Sequence, residues 1–154
     1  VLDDYPDLGE GGIDRFLQVI FDLQGAQAHE IALDLLQRLG ERELPGQRRS
    51  EMLYWRAESQ DALGNPRRAA GLYLRSATLL DGRGVEPWGQ TARYQAAGML
   101  AEAGLVSDAR RIYTQLLRTT SDSDRRSTLR QRLQKLGLRE PGSDDLPLPG
   151  GLDD

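Results

Sequence analysis

Three carboxylates in one stretch, Glu51, Glu58 and Asp61, are spaced at i, i+7 and i+10. If the stretch is helical they share a face. Tyr54 lies on that face and Trp55 adjoins it. Acids beside aromatic rings suit a basic or mixed peptide. The same pattern also suits a solvated helix face with Trp55 as ordinary packing. Nothing near the carboxylates suggests the enclosed pocket that acid–base catalysis needs. The one histidine, His29, has no partner at a spacing that would build a nucleophilic relay. There is no cysteine, which removes thiol catalysis, disulfides and thiolate metal sites together. The expectation is a protein that is not an enzyme, with no catalytic residue, cofactor or metal.

Arginine doublets occur at Arg48-Arg49, Arg67-Arg68, Arg110-Arg111 and Arg125-Arg126. A nucleic-acid surface would need them clustered with interleaved aromatic rings. They fall instead on different predicted helices with acids nearby, as solvated charge does. The whole chain has a net charge of −4, and residues 138–154 alone carry five acids and one arginine. Residues 1–14 carry five acids and no base. The centre is therefore basic and the ends acidic, a balance that argues against nucleic acid as the partner. The basic last helix could meet the chain's own acidic arm or an acidic partner. No apolar run approaches the roughly 18 residues of a membrane span. No leader-like segment is visible, and the chain opens on Val1, which fits a processed form or a piece of a longer protein.

The elements that must position these residues are all helical. Ile13, Phe16, Leu17, Ile20, Phe21 and Leu23 follow helical spacing, with Gly25 as the stop. A second helix is expected over residues 27–40, with Ile31, Leu35, Leu36 and Leu39 apolar. The third runs from Arg48 to Ala62, turning Met52, Leu53, Ala57 and Leu63 to the core. Leu63-Gly64-Asn65-Pro66 is then a tight reversal: Gly takes the left-handed conformation, Asn65 caps, and Pro66 needs no N–H at the first helical position. Residues 66–80 form the fourth helix, Pro87 to Ala103 the fifth and Val106 to Thr119 the sixth. The cap-rich cluster at residues 120–124 opens a seventh to Leu136, striped by Leu129, Leu133 and Leu136 and ending at Gly137. Residues 1–12 read as an acidic flexible arm, 13–137 as the helical domain, and 138–154 as an acidic, Pro/Gly-rich disordered tail.

Ala57, Gly64, Ala69 and Tyr73 recur as Ala97, Gly104, Ala109 and Tyr113, each 40 residues on. A fixed offset of that size is the mark of a stacked repeat. The pattern resembles the tetratricopeptide repeats, which place Gly at the turn, Ala early in the second helix and an aromatic four positions later. The resemblance covers residues 48–119, and 13–41 more loosely. It implies a right-handed α-solenoid of three antiparallel hairpins closed by a C-terminal capping helix. It also implies a concave groove lined by the first helix of each hairpin, so that Thr91, Tyr94, Gln95 and Glu102 of the fifth helix join Glu51, Tyr54, Trp55, Glu58 and Asp61. Tyr54, Trp55 and Tyr94 would anchor a ligand and the acids would select basic residues. The implied function is a protein- or peptide-binding scaffold or adaptor. The alternative is an assembly or dimerisation module of a larger protein, using Phe16, Ile20 and Phe21.

Tyr54 to Glu58 also looks like the first helix in repeats of bacterial envelope proteins, which favours a bacterial periplasmic or envelope setting over the cytoplasm. There are departures from the family. Its period is about 34, so some six extra residues are expected within Asp81–Pro87. Arg56 stands where the family is usually apolar, and the usual proline after the second helix is missing.

Overall fold

A computed structural model describes residues 9–40, 43–80 and 86–138. Most of the expected acidic arm, residues 81–85 of the connector and the tail beyond residue 138 lie outside the described residues. Seven helices follow in order: α1 Glu10–Gly25, α2 His29–Gly40, α3 Gly46–Ala62, α4 Pro66–Leu80, α5 Pro87–Glu102, α6 Val106–Thr119 and α7 Ser123–Gly137. Among the described residues there is no strand. Each helix packs on the next along the chain. Short turns make the pairs α1–α2, α3–α4 and α5–α6 antiparallel, and α7 closes the row against α6. The all-α solenoid expected of the repeats is the architecture observed.

The three reversals share one backbone pattern. After α1, the Ala28 N–H donates to the Leu23 carbonyl (2.8 Å) and the Gln27 N–H to that of Gln24 (3.0 Å). After α3, Asn65 donates to Gln60 (2.9 Å) and Gly64 to Asp61 (2.8 Å). After α5, Leu105 donates to Leu100 (2.8 Å) and Gly104 to Ala101 (3.1 Å). Such paired bonds close a helix around one left-handed residue. That residue is Gln27 (φ 62°), Gly64 (φ 75°) or Gly104 (φ 80°). The two glycines do what their positions predict. Gly25 does end α1, but the left-handed residue is Gln27, which delays α2 to His29. At the far end, Gly137 lies inside α7, and its cap Leu138 is right-handed at φ −78°, so Gly137 is not the expected left-handed stop.

The turns fix the register of all three hairpins. Counting from Gln27, Gly64 and Gly104, the residues seven positions earlier are Ile20, Ala57 and Ala97. Five positions later come Ala32, Ala69 and Ala109, and four beyond those Leu36, Tyr73 and Tyr113. Every one of these nine side chains is buried. The alanines allow close helix approach and the larger side chain fills the space beyond. The first two turns are 37 residues apart and the last two 40. The difference matches the lengths of the second helices, 12 residues in α2 and 15 in α4.

Each core cluster combines one hairpin with the helix after it. Ile13, Leu17, Ile20, Ala32, Leu36 and Leu39 pack with Met52 of α3. Ala57, Ala69, Ala70, Tyr73 and Ala77 pack with Ala92, Ala96 and Met99 of α5. Ala97, Ala109, Tyr113 and Leu116 pack with Leu129 and Leu136 of α7. Leu63, expected in the core, is 39% exposed, because the helix ends before its side chain can turn inward. The middle hairpin buries a pair of serines that bond across it. Ser50 Oγ donates to the Ser76 carbonyl (2.9 Å), Ser76 Oγ donates to the Ser50 carbonyl (2.7 Å), and the Trp88 indole N–H reaches Ser76 Oγ (3.2 Å).

A Cβ built at Gly64 or Gly104 meets nothing within 4 Å, so substitution there costs backbone strain alone. Gly104→Ala is expected to lower stability by about 1 kcal/mol, and Gln27→Gly to raise it by several tenths. Urea unfolding of the two variants beside the wild type checks both signs.

Candidate peptide-binding groove

Two cavities open along the N-terminal halves of the odd-numbered helices. The larger, ≈610 Å³, lies between α3 and α5 and is lined by Gln47, Glu51, Glu86, Pro87, Trp88 and Thr91. The second, ≈380 Å³, lies between α5 and α7 and includes Thr91, Tyr94, Leu116, Asp124, Arg125 and Leu129. Thr91 borders both, so the two cavities adjoin on α5; together they are the candidate furrow over α3, α5 and α7. Its carboxylates are Glu51, Glu86 and Asp124. Glu86 and Asp124 sit at helix starts, where the backbone dipole favours negative charge, and Glu51 lies in the second turn of α3. Glu86 also caps α5 by accepting from the Gly89 N–H (3.4 Å). Glu51 accepts from Arg48 (2.9 Å), which also donates to Asp14 of α1 (2.6 Å).

Trp88 is the aromatic side chain of the larger cavity, and its position follows from its surroundings. The preceding Pro87 starts α5, and the indole N–H points inward to Ser76. The ring is left half-buried beside Tyr54, with centroids 4.9 Å apart. Trp88 is not among the residues expected to line the groove. The Glu-Pro-Trp order was the available signal, since it makes the tryptophan part of the first helical turn.

The nine residues expected in the groove separate into groups. Glu51, Thr91 and Tyr94 line the furrow. Tyr54 is 8% exposed and packs on Tyr73 and Trp88, with its hydroxyl 3.5 Å from Gln95 Nε2. It is a core residue, not a surface anchor, because the third hairpin stacks over the face that carries it. Trp55 is edge-on to Phe21 (4.7 Å), and its carbonyl accepts from Gln24 (2.9 Å). It belongs to the seam between the first two hairpins. Glu58 accepts from the Tyr73 hydroxyl (2.6 Å). Asp61 lies in the last turn of α3. Glu102 lines a separate ≈110 Å³ cavity with Tyr113 and Arg132. Tyr94 is held by Arg132, whose Nε donates to its hydroxyl (3.1 Å) while the guanidinium lies 5.9 Å from the ring centroid.

The expected assembly residues are also displaced inward. Ile20 is fully buried and Phe21 packs against Trp55. The large apolar side chains that the first hairpin exposes are Val19 (49%) and Ile31 (55%). His29 Nε2 lies 3.4 Å from Gln27 Oε1, and its Nδ1 is enclosed without a partner. Among the described residues no three His, Asp or Glu side chains gather as a metal site, and no helix is long and apolar enough to cross a membrane.

Burial pushes up the hydroxyl pKa of Tyr54, Tyr73 and Tyr113. For Tyr73 the bond to the Glu58 carboxylate raises it further, and for Tyr113 the nearby Arg132 pulls the other way. As pH rises through the ordinary value of 10.0, the unfolded chain's tyrosines ionise before these three do. The stability they contribute is therefore complete below pH 10 and is lost as pH rises further. Tyr73, whose hydroxyl burial and the Glu58 bond raise far above the ordinary value, is expected to add about 1.4 kcal/mol per pH unit to the decline. Tyr73→Phe should make the decline shallower by about that amount, while costing about 1 kcal/mol at neutral pH through the lost hydrogen bond. Urea unfolding between pH 7 and 12 measures both. The chain matches no family model, no curated protein and no solved structure.

Proposed function

We propose that this chain is a non-catalytic scaffold of the tetratricopeptide kind, which binds an extended basic or mixed peptide segment of a partner protein in the furrow over α3, α5 and α7. The observation that carries this is the junction of the two cavities at Thr91, with three carboxylates around a floor of Trp88, Tyr94, Leu116 and Leu129. Acidic rims favour Lys and Arg side chains, and the half-buried rings of Trp88 and Tyr94 supply apolar contact over the buried Leu116 and Leu129. Arg125 at the α7 end suits an acidic group on the same segment, which would set its direction. Recurrence of the alanine and large-residue register in three hairpins supports the family resemblance. The test is calorimetric titration with a peptide of alternating Arg and Leu, against one of alternating Glu and Leu. The basic peptide is expected to bind, and Thr91→Arg, which puts bulk and positive charge at the junction, should weaken it at least about tenfold. Equal binding of the two peptides, or affinity unchanged in Thr91→Arg, counts against the groove.

The exposed Val19 and Ile31 favour a second possibility, self-assembly through the first hairpin. It predicts a mass by light scattering that rises with concentration and returns to that of a monomer in Ile31→Asp. A concentration-independent mass removes it.

A further inference from the structure

The opposite side of α3 carries a different chemistry. Arg49 and Arg56 of α3 and Arg75 of α4 open on a ≈190 Å³ cavity whose other walls are mainly aliphatic, among them Leu36, Leu53 and Leu79. On α3 the lining residues Arg49, Met52, Leu53 and Arg56 follow three- and four-residue spacing, which turns them away from Gln47 and Glu51. No carboxylate lines this cavity among the described residues. Arg56 is half-buried, and its Nε is enclosed with no acceptor. In the register set by the turns, the positions matching Arg56 are Val19 and Ala96, so the hairpin itself does not call for a cation there. Burial, and then the charge of Arg75, lower the Arg56 pKa from its ordinary value. The Arg56 Nε is thus short of an acceptor, and no carboxylate in the cavity lining offsets the charge.

We propose that this cavity binds a small organic acid, with its oxyanion held by Arg49, Arg56 and Arg75 and a short aliphatic tail lying against the leucines. Guanidinium groups suit a carboxylate because their N–H donors match its two oxygens. The volume lies below the roughly 300–1,000 Å³ of sites for drug-sized ligands, which limits the tail to a few carbons. The peptide furrow is on the other face, so this site stands whether or not the furrow binds a peptide.

The experiment is titration calorimetry of the whole chain with hexanoate and with acetate, at ionic strength matched with sodium chloride. Hexanoate is expected to bind, at least about tenfold more tightly than acetate because of its additional methylenes. Arg56→Met should weaken hexanoate at least about tenfold, since a charge-assisted bond is lost. Hexanoate should raise the melting temperature of the wild type and leave that of Arg56→Met unchanged. Circular dichroism shows whether Arg56→Met is folded. If it is not, Arg75→Gln, a change at an exposed position, takes its place with the same expected loss. Absence of hexanoate binding to the wild type, acetate binding as tight as hexanoate, or equal affinity in wild type and variant would overturn the assignment.

Discussion

The close approach of paired helices depends here on where the backbone turns left-handed. One residue per hairpin, Gln27, Gly64 or Gly104, takes positive φ, and its own N–H and that of the next residue donate to the carbonyls three and four positions before it. Once that residue is placed, the positions that can face across the hairpin are determined. Alanine five residues on lets the helices approach, and a leucine or tyrosine four further on fills the widening gap. A turn displaced by one residue would set polar side chains such as Arg68 or Arg110 where Ala69 and Ala109 now pack. The buried register and the turn geometry are thus one constraint expressed twice.

Between hairpins the chain adds other contacts to the aliphatic packing of the core clusters. The first and second are joined by Phe21 on Trp55, by Gln24 reaching the Trp55 carbonyl and Ser59 Oγ (both 2.9 Å), and by Arg48 spanning Asp14 and Glu51. The second and third are joined by Tyr54 on Trp88 and by the Trp88 indole on the buried serine pair. The cap helix is tied by Arg132 to Tyr94, and by Arg126, which donates to the carbonyls of Leu117 (2.7 Å) and Thr120 (3.0 Å). These contacts are mostly aromatic or polar and differ from seam to seam. The hairpin interiors use the same small residues each time. That division suits a linear array, in which each unit is stabilised by its own packing and by one neighbour on either side.

Much of the fold could be read from the residues, for reasons that vary along the chain. Gly64, Ala69 and Tyr73 and their counterparts are legible because few residue types satisfy a left-handed turn or a close helix crossing. The first hairpin obeys the same register but hides it. Gln27 replaces glycine, Leu36 replaces tyrosine and Ile20 replaces alanine, and each substitute is common elsewhere in helices. The groove was legible only in part. Glu51 and Tyr54, three residues apart, share a helix face by spacing, but spacing does not say how far the next hairpin overlaps that face. The overlap covers Tyr54 and leaves Glu51 at the edge. Trp88 went without a role because its part in the furrow depends on Ser76, a residue on another helix.

The chain has two tryptophans, and they sit at different joints. Trp55 touches Phe21 across the first seam and Trp88 touches Tyr54 across the second. An indole's emission shifts to longer wavelength as water reaches it, so each seam carries its own optical gauge. Replacing either tryptophan with phenylalanine leaves one gauge reading one joint. The molecule is in this sense labelled without chemical modification, and the order in which its units separate is open to direct spectroscopic observation.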